Sequence, residues 1–405
     1  MDSSPISLLK ASLLSVGAIM SSPPRNLRQD LVDCIINHFR DDSSALRVIR
    51  LVGRKWLLRS TFHLFRRGIV LRYDMDCFNF AKCRPYLYPL VTSLTITYTD
   101  TSSGRRPSMM PNIFAPLTQL ESLTLNGACT IKSMSSDTLA GLGRLSDSSI
   151  GCLTTVRLER LGRRVSPKKL PSFPLLLAAF KTGLRKLTIT SATQFVAFEP
   201  ESVKSLLNVE ELELQYIRPG SWRHVAQFLD RRLKRLVVDI CADQSDRCLP
   251  ALLSLASSRL DALRIFHFEF ATALYANPVI WGNYMLAHDV FFSVTDLAST
   301  PVGTANELRA LIEWYLDCFV VAPAETFNAR FICENSRSSL FVPSCDEMWK
   351  RWDEMFSESK VLRSLTIELY CIFGRVEDDF CTQAIKDRLP RLSDGGKLTV
   401  KIPIV

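Results

Sequence analysis

The chain of 405 residues predicts an α/β fold, in which a small N-terminal helical unit precedes a long alternation of helices and strands that share a curved parallel sheet. Two patterns predict it. Residues 27–66 carry apolar side chains at helical spacing, and from Val91 onward an apolar-x-x-apolar-x-apolar sequence recurs, mostly built from leucine. A unit of one strand and one helix cannot cover its own apolar face, so successive units must stack.

In the helical unit, Leu31, Ile35, Ile36 and Phe39 form a first stripe, and Asp41-Asp42-Ser43-Ser44 supplies a turn rich in N-cap residues. Ala45, Val48, Ile49, Val52 and Trp56 form a second stripe, and Leu57, Ser60, Thr61 and Leu64 continue onto a third helix. A segment of about 40 residues buries little apolar surface alone, so it is expected to lean on a neighbour.

The order of these residues resembles an F-box. The matches are Leu27, Asp30, Leu31, Ile35-Ile36, Asp41-Asp42, the run Leu51-Val52-Gly53-Arg54-Lys55-Trp56, and Leu64-Phe65-Arg66. Arg28 stands where the family carries Pro. The resemblance implies that Leu27, Asp30, Leu31, Ile35, Leu51, Val52 and Trp56 contact the Skp adaptor of an SCF-type ubiquitin ligase. The alternative is an ordinary three-helix cap packed on the rest of the protein.

The recurring strand pattern comprises Val91/Leu94/Ile96, Leu120/Leu123/Leu125, Leu153/Val156/Leu158, Leu184/Leu187/Ile189, Val209/Leu212/Leu214, Leu233/Leu236/Val238, Leu260/Leu263/Ile265 and Leu362/Leu365/Ile367. The middle anchors lie 29, 33, 31, 25, 24, 27 and finally 102 residues apart. The second and third anchors are two apart on a strand and point the same way, into the core. Between strands, Trp222, Val225, Ala226 and Leu229 share a helical face, and 249–255 continues the alternation. This resembles an irregular leucine-rich repeat. The family's Asn or Cys three positions after the last anchor is nearly absent: only Cys241 falls there, with Ala128, Ala192, Ile217 and Phe268 elsewhere.

The long gap, residues 270–360, reads as degenerate repeats or as an inserted helical subdomain. Taking Phe292 and Phe331 as anchors divides it into steps of 29, 39 and 34. Leu308, Leu311, Ile312, Tyr315, Leu316 and Phe319 form an amphipathic helix. A second helix is expected over Asp346 to Phe356, and Leu398/Val400/Ile402 closes the chain as a strand. The predicted organisation is a tail over 1–24, the helical domain over 25–72 and the repeats over 73–405.

Hydrophobic residues at 47 % and charged residues at 22 % argue for a folded chain over a disordered one. The apolar run Ile6 to Met20 is too short to span a bilayer and lacks a basic leader, so no membrane segment is expected. Twelve cysteines include no C-x-x-C, and no histidine sits at zinc-finger spacing, so no metal site is expected. Cys34, Cys318 and Cys371 stand in apolar contexts, which predicts reduced, mostly buried thiols in cytosol or nucleus. The net charge of +9 is uneven, with balances of +7 over 25–72 and +8 over 144–186. The second patch includes Arg163, Arg164, Lys168 and Lys169, but without interleaved aromatics a nucleic-acid partner is a poor fit. No phosphate-binding glycine loop or nucleophile motif is present, so neither catalysis nor a cofactor is expected.

Function is therefore expected on the outward strand positions, the concave face of the solenoid. The candidate substrate face comprises Thr124, Asn126, Arg157, Glu159, Thr188, Thr190, Glu213, Gln215, Asp239, Arg264 and Phe266, with Thr95, Thr97, Val237, Thr366 and Glu368 in equivalent positions. Together the resemblances imply an F-box substrate receptor: the helices dock the Skp adaptor and ligase core, and the repeats hold a protein substrate. A repeat scaffold uncoupled from any ligase is the alternative, with a nucleic-acid-associated repeat protein behind it.

Overall fold

The computed structural model describes residues 28–66, 68–72, 75–82, 85–97, 113–127, 135–160, 173–190, 207–216, 225–240, 252–256, 259–267, 287–296, 301–333, 341, 343–371 and 378–403. Leu27, the tail over 1–24, Trp222, and Arg163, Arg164, Lys168 and Lys169 lie outside them. The chain divides into two compact units. The first holds the helices up to Ile69 together with Leu90–Thr92, and the second holds Val70–Pro89 and the chain from Ser93 on.

The first unit contains α1 (Gln29–His38), α2 (Ser43–Ile49) and α3 (Arg54–Arg66). Asp42 caps α2, its carboxylate accepting from the backbone N–H groups of Ser44 and Ala45 at 2.9 Å each. The buried core is Val32, Ile36 and Leu46, against which Phe39, Ile49, Trp56 and Leu64 pack. Here the structure corrects the sequence reading. The two stripes are split: Leu31, Ile35, Val48 and Val52 are exposed, while Leu46, which belonged to neither stripe, is buried. Helix α1 is apolar at 31, 32, 35, 36 and 39, so two overlapping faces compete, and Leu46 selects the one bearing Val32 and Ile36. Cys34 follows its face outward and is exposed, against expectation.

The second unit is α/β, built on one twelve-stranded parallel sheet in which strand order follows chain order throughout. The strands are β1 (Ile69–Arg72), β2 (Ser93–Thr97), β3 (Ser122–Asn126), β4 (Thr155–Glu159), β5 (Lys186–Thr190), β6 (Glu211–Gln215), β7 (Arg235–Ile240), β8 (Leu260–His267), β9 (Ala287–Asp296), β10 (Thr326–Cys333), β11 (Ser364–Cys371) and β12 (Leu398–Lys401). The helices described are α4 (Met75–Ala81), α5 (Ser136–Leu145), α6 (Phe173–Ala179), α7 (Pro301–Val321), α8 (Asp346–Glu358), α9 (Asp378–Arg388) and α10 (Pro390–Asp394).

The anchors align in register. Leu94 pairs with Leu123, Leu123 with Val156, Val156 with Leu187, Leu187 with Leu212, Leu212 with Leu236 and Leu236 with Leu263. Every first anchor from Val91 to Leu362 is buried as well. Each inward leucine contributes roughly 1.5–3 kcal/mol by leaving water. A one-residue slip would expose a strand's whole apolar set, which pins the register.

Strands β9 and β10 continue the sheet through the long gap, but on other anchors than expected. Leu263 pairs with Val290, Val290 with Phe327 and Phe327 with Leu365. The middle anchors are therefore Val290 and Phe327, whereas Phe292 takes the third position beside Ile265, and Phe331 pairs with Val294 and Leu369. Beneath these strands Phe292 stacks on Tyr315 at 4.3 Å between ring centroids, and Phe327, Trp349, Trp352 and Phe356 complete an aromatic core. The buried Asp353 of α8 reaches α10, accepting from the N–H groups of Arg391 at 3.1 Å and Leu392 at 2.9 Å. It thereby supplies the capping bonds that Leu389, at the N-cap of α10, cannot make.

Turns after three strands use the left-handed region: Gly127 (φ 112°), Arg160 (φ 54°) and Tyr216 (φ 52°). Gly127 N–H donates to Glu159 O at 2.9 Å, and Arg160 N–H to Thr190 O at 2.8 Å, both main-chain carbonyls of the next strand. Tyr216 N–H instead donates to the Asp239 side chain at 3.1 Å. A carboxylate there replaces a backbone carbonyl, which matters for the site below.

Candidate protein-interaction surfaces

The first surface lies on the helical unit. Of the residues assigned by resemblance to adaptor contact, Leu31 (53 % exposed), Ile35 (39 %), Leu51 (77 %) and Val52 (58 %) project into solvent, as does Asp30. Val48, Leu57 and Leu58 extend the same exposed apolar set. Half of the large hydrophobics exposed among the described residues thus fall between Leu31 and Leu58, a density that marks an interaction surface. Trp56 departs from this group, because it is half-buried against the core. Arg28 donates to both Asp30 oxygens, at 3.2 and 2.9 Å, and its φ of −63° is one that proline also adopts. Behind the apolar set, Asn37 Oδ1 holds α1 to α3 by accepting from Arg59, with His63 Nε2 at 2.8 Å. Burial, with Arg59 and Arg66 nearby, lowers the His63 pKa below its ordinary value.

The second surface is the outward face of the sheet. All eleven positions of the expected substrate face lie on it by register. Thr188 and Asp239 nevertheless are buried at 2 % exposure each, which corrects their assignment as exposed contacts. Neighbours link along the face. Asn126 donates to Glu159 at 2.8 Å, Arg157 pairs with Glu159, and Glu213 accepts from Thr188 at 3.2 Å and from Gln215. Glu213, Gln215, Arg264 and Phe266 come together in a groove of ≈ 360 Å³ running from β5 to β9, whereas Thr124, Asn126, Arg157 and Glu159 lie outside it. Glu211 on its rim is paired with Lys186 at 3.1 Å and Arg235 at 3.5 Å. Asp239 lies on the same face beside Phe266, and burial pushes its carboxyl up to about 7, with Glu213 adding to the rise.

Sequence reasoning missed a cluster beside this groove. Arg330 of β10 lies between the rings of Phe291 (5.0 Å) and Tyr370 (4.7 Å), and pairs with Glu368 at 2.7 Å. Phe266 meets Phe291 at 5.3 Å. Had Val290 and Phe327 been taken as anchors, the following residue would have marked Phe291 as outward, and the third residue after Phe327 would have marked Arg330. Arginine set among aromatics is the composition of interaction hot spots.

Among the described residues no helix is long and apolar enough to cross a membrane, and no group of His, Cys, Asp and Glu is arranged to hold a metal. Comparison with known proteins finds no family model that matches the chain and no curated protein that matches it.

Proposed function

We propose that this chain is an F-box substrate receptor of an SCF-type ubiquitin ligase, with an irregular leucine-rich-repeat solenoid as its substrate-binding body. The observation that carries the reading is the division of side chains in the helical unit. Val32, Ile36 and Leu46 build the core, while Leu31, Ile35, Leu51 and Val52, matched to the family's adaptor contacts, stay in solvent. The apolar area these four side chains leave in water forgoes roughly 25 cal/mol per Å², which a partner surface would recover. The parallel order of twelve strands, each following its neighbour in sequence, supports the repeat reading of the rest.

On this reading the chain does no chemistry. It holds an adaptor at one end and a protein substrate on the sheet's outward face, and it raises the substrate's effective concentration at the ligase. The test is capture of purified Skp adaptor by the full chain, wild type against Leu31→Ala/Leu51→Ala. Both side chains are exposed, so the variant folds and its capture is expected to fall at least about tenfold, in line with loss of two interface anchors. Absence of capture by the wild type removes the ligase reading and leaves a repeat scaffold.

A further inference from the structure

We propose that Asn126-Gly127, at the end of β3, is a site of deamidation, and that Glu159 of β4 sets its rate by holding both reacting nitrogens. The site stands apart from the ligase reading and from any partner.

The chain contains one Asn-Gly pair. Asparagine is a labile residue, most of all before glycine, whose main-chain nitrogen no side chain shields. Once hydroxide has taken its proton, the Gly127 nitrogen bonds to Asn126 Cγ. The Cγ–Nδ2 bond then breaks, ammonia leaves with a proton from water, and a five-membered succinimide remains. Water opens this ring at one carbonyl or the other, leaving aspartate or isoaspartate at position 126. Hydroxide and water are the only co-reactants.

The fold uses both residues of this pair. Gly127, at φ 112°, lies beyond the left-handed helical region that Arg160 (54°) and Tyr216 (52°) occupy, so any side chain there would be strained. Asn126 is in register with Glu159, and its Nδ2 donates to Glu159 Oε2 at 2.8 Å. Further along the same row stands Gln215, followed by Tyr216. Ring closure at Gln215 would be six-membered, onto a nitrogen crowded by a side chain, and is the slower chemistry.

The contacts that require the pair also restrain it. The attacking nitrogen donates its proton to the Glu159 main-chain oxygen at 2.9 Å, while the Glu159 carboxylate holds the leaving nitrogen. Arg157 pairs with the other carboxylate oxygen and fixes its position. Ring closure therefore waits for the end of β3 to open from β4, a local event that leaves the rest of the sheet intact. Its product replaces a donor on the outward face with a second carboxylate opposite Glu159. Isoaspartate also lengthens the main chain by one methylene at the strand end.

The experiment incubates the full chain at pH 8 and follows aspartate and isoaspartate at position 126 by peptide mapping with mass spectrometry. Folded wild type is expected to react at least roughly tenfold more slowly than the same chain in urea, because the ladder must open first. Glu159→Ala should speed the folded chain roughly tenfold, the scale of one hydrogen bond to a charged group. Glu159→Gln keeps an acceptor for Asn126 and should stay within about twofold of wild type. Circular dichroism is expected to be unchanged in both variants. If Glu159→Ala loses its fold, Arg157→Ala, which frees the carboxylate without removing it, carries the same expectation with a smaller rise. No reaction at position 126 in urea, or equal rates in the folded and unfolded chain, overturns the proposal. So does a Glu159→Ala rate no faster than wild type, or a Glu159→Gln rate as fast as that of Glu159→Ala.

Discussion

Replacing Asp239 with Asn removes a charge that the fold buries while keeping an acceptor for Tyr216 N–H. In the unfolded chain this carboxyl ionises near 3.8; in the folded chain it is pushed up to about 7. The folded pKa is raised, so the folded protein holds a proton that the unfolded chain releases. Its cost is therefore absent below 3.8, grows as pH rises, and is complete above about 7. At about 1.4 kcal/mol per unit the full cost approaches about 4 kcal/mol. Urea denaturation of wild type and Asp239→Asn at pH 4, 6 and 8 measures it, with the difference between the two cancelling titrating groups that do not interact with Asp239. The variant is expected to match wild type at pH 4 and to exceed it progressively to pH 8. A difference that does not change with pH, or that favours wild type at pH 8, refutes the argument from burial.

Three further outcomes follow from other contacts. Arg28→Pro fits a φ of −63° and releases Asp30 from its pairing, so stability should hold or rise by about 0.5–1 kcal/mol while adaptor capture strengthens; a lower melting temperature contradicts this. Asp353→Ala leaves the N–H groups of Arg391 and Leu392 without their acceptor, and should cost about 1–2 kcal/mol in thermal unfolding with early amide exchange in α10. His63 is disfavoured as a cation in the fold, so the helical unit keeps its full stability above the ordinary value of 6.5 and loses stability as pH falls below it. Amide protection in α1, relative to the intrinsic exchange rate at each pH, should fall across that range in wild type and not in His63→Gln.

The strands of the first repeats were legible from leucine spacing because their pattern admits one solution. Leu94 and Ile96, or Leu212 and Leu214, are flanked by polar residues, so only one face can be buried. In β9 and β10 the same logic was ambiguous. Val290, Phe292 and Val294 are all inward and apolar, as are Phe327 and Phe331, and any of them satisfies the spacing. Hydrogen bonding to β8 and β11 selects the register, and that selection lies in the neighbours. The charged groove follows the same division. Glu213, Gln215, Arg264 and Phe266 were named from the repeat, while the contact of Arg330 with Phe291 and Tyr370 joins residues about 40 apart in sequence, which only the folded sheet brings together.

By itself, then, the sequence determined the inward face of each regular strand and the helical character of most of residues 29–66. These follow from local periodicity, which needs no knowledge of neighbours. The helix expected through Val225, Ala226 and Leu229 is instead a single turn, after which Leu229 forms a β-bridge with Leu207. Tertiary structure decided which of two apolar faces α1 buries, which residues anchor β9 and β10, and that Asp239 is enclosed while Glu213 beside it reaches the groove. Each of these depends on desolvation by side chains distant in the chain, and desolvation is a property of packing.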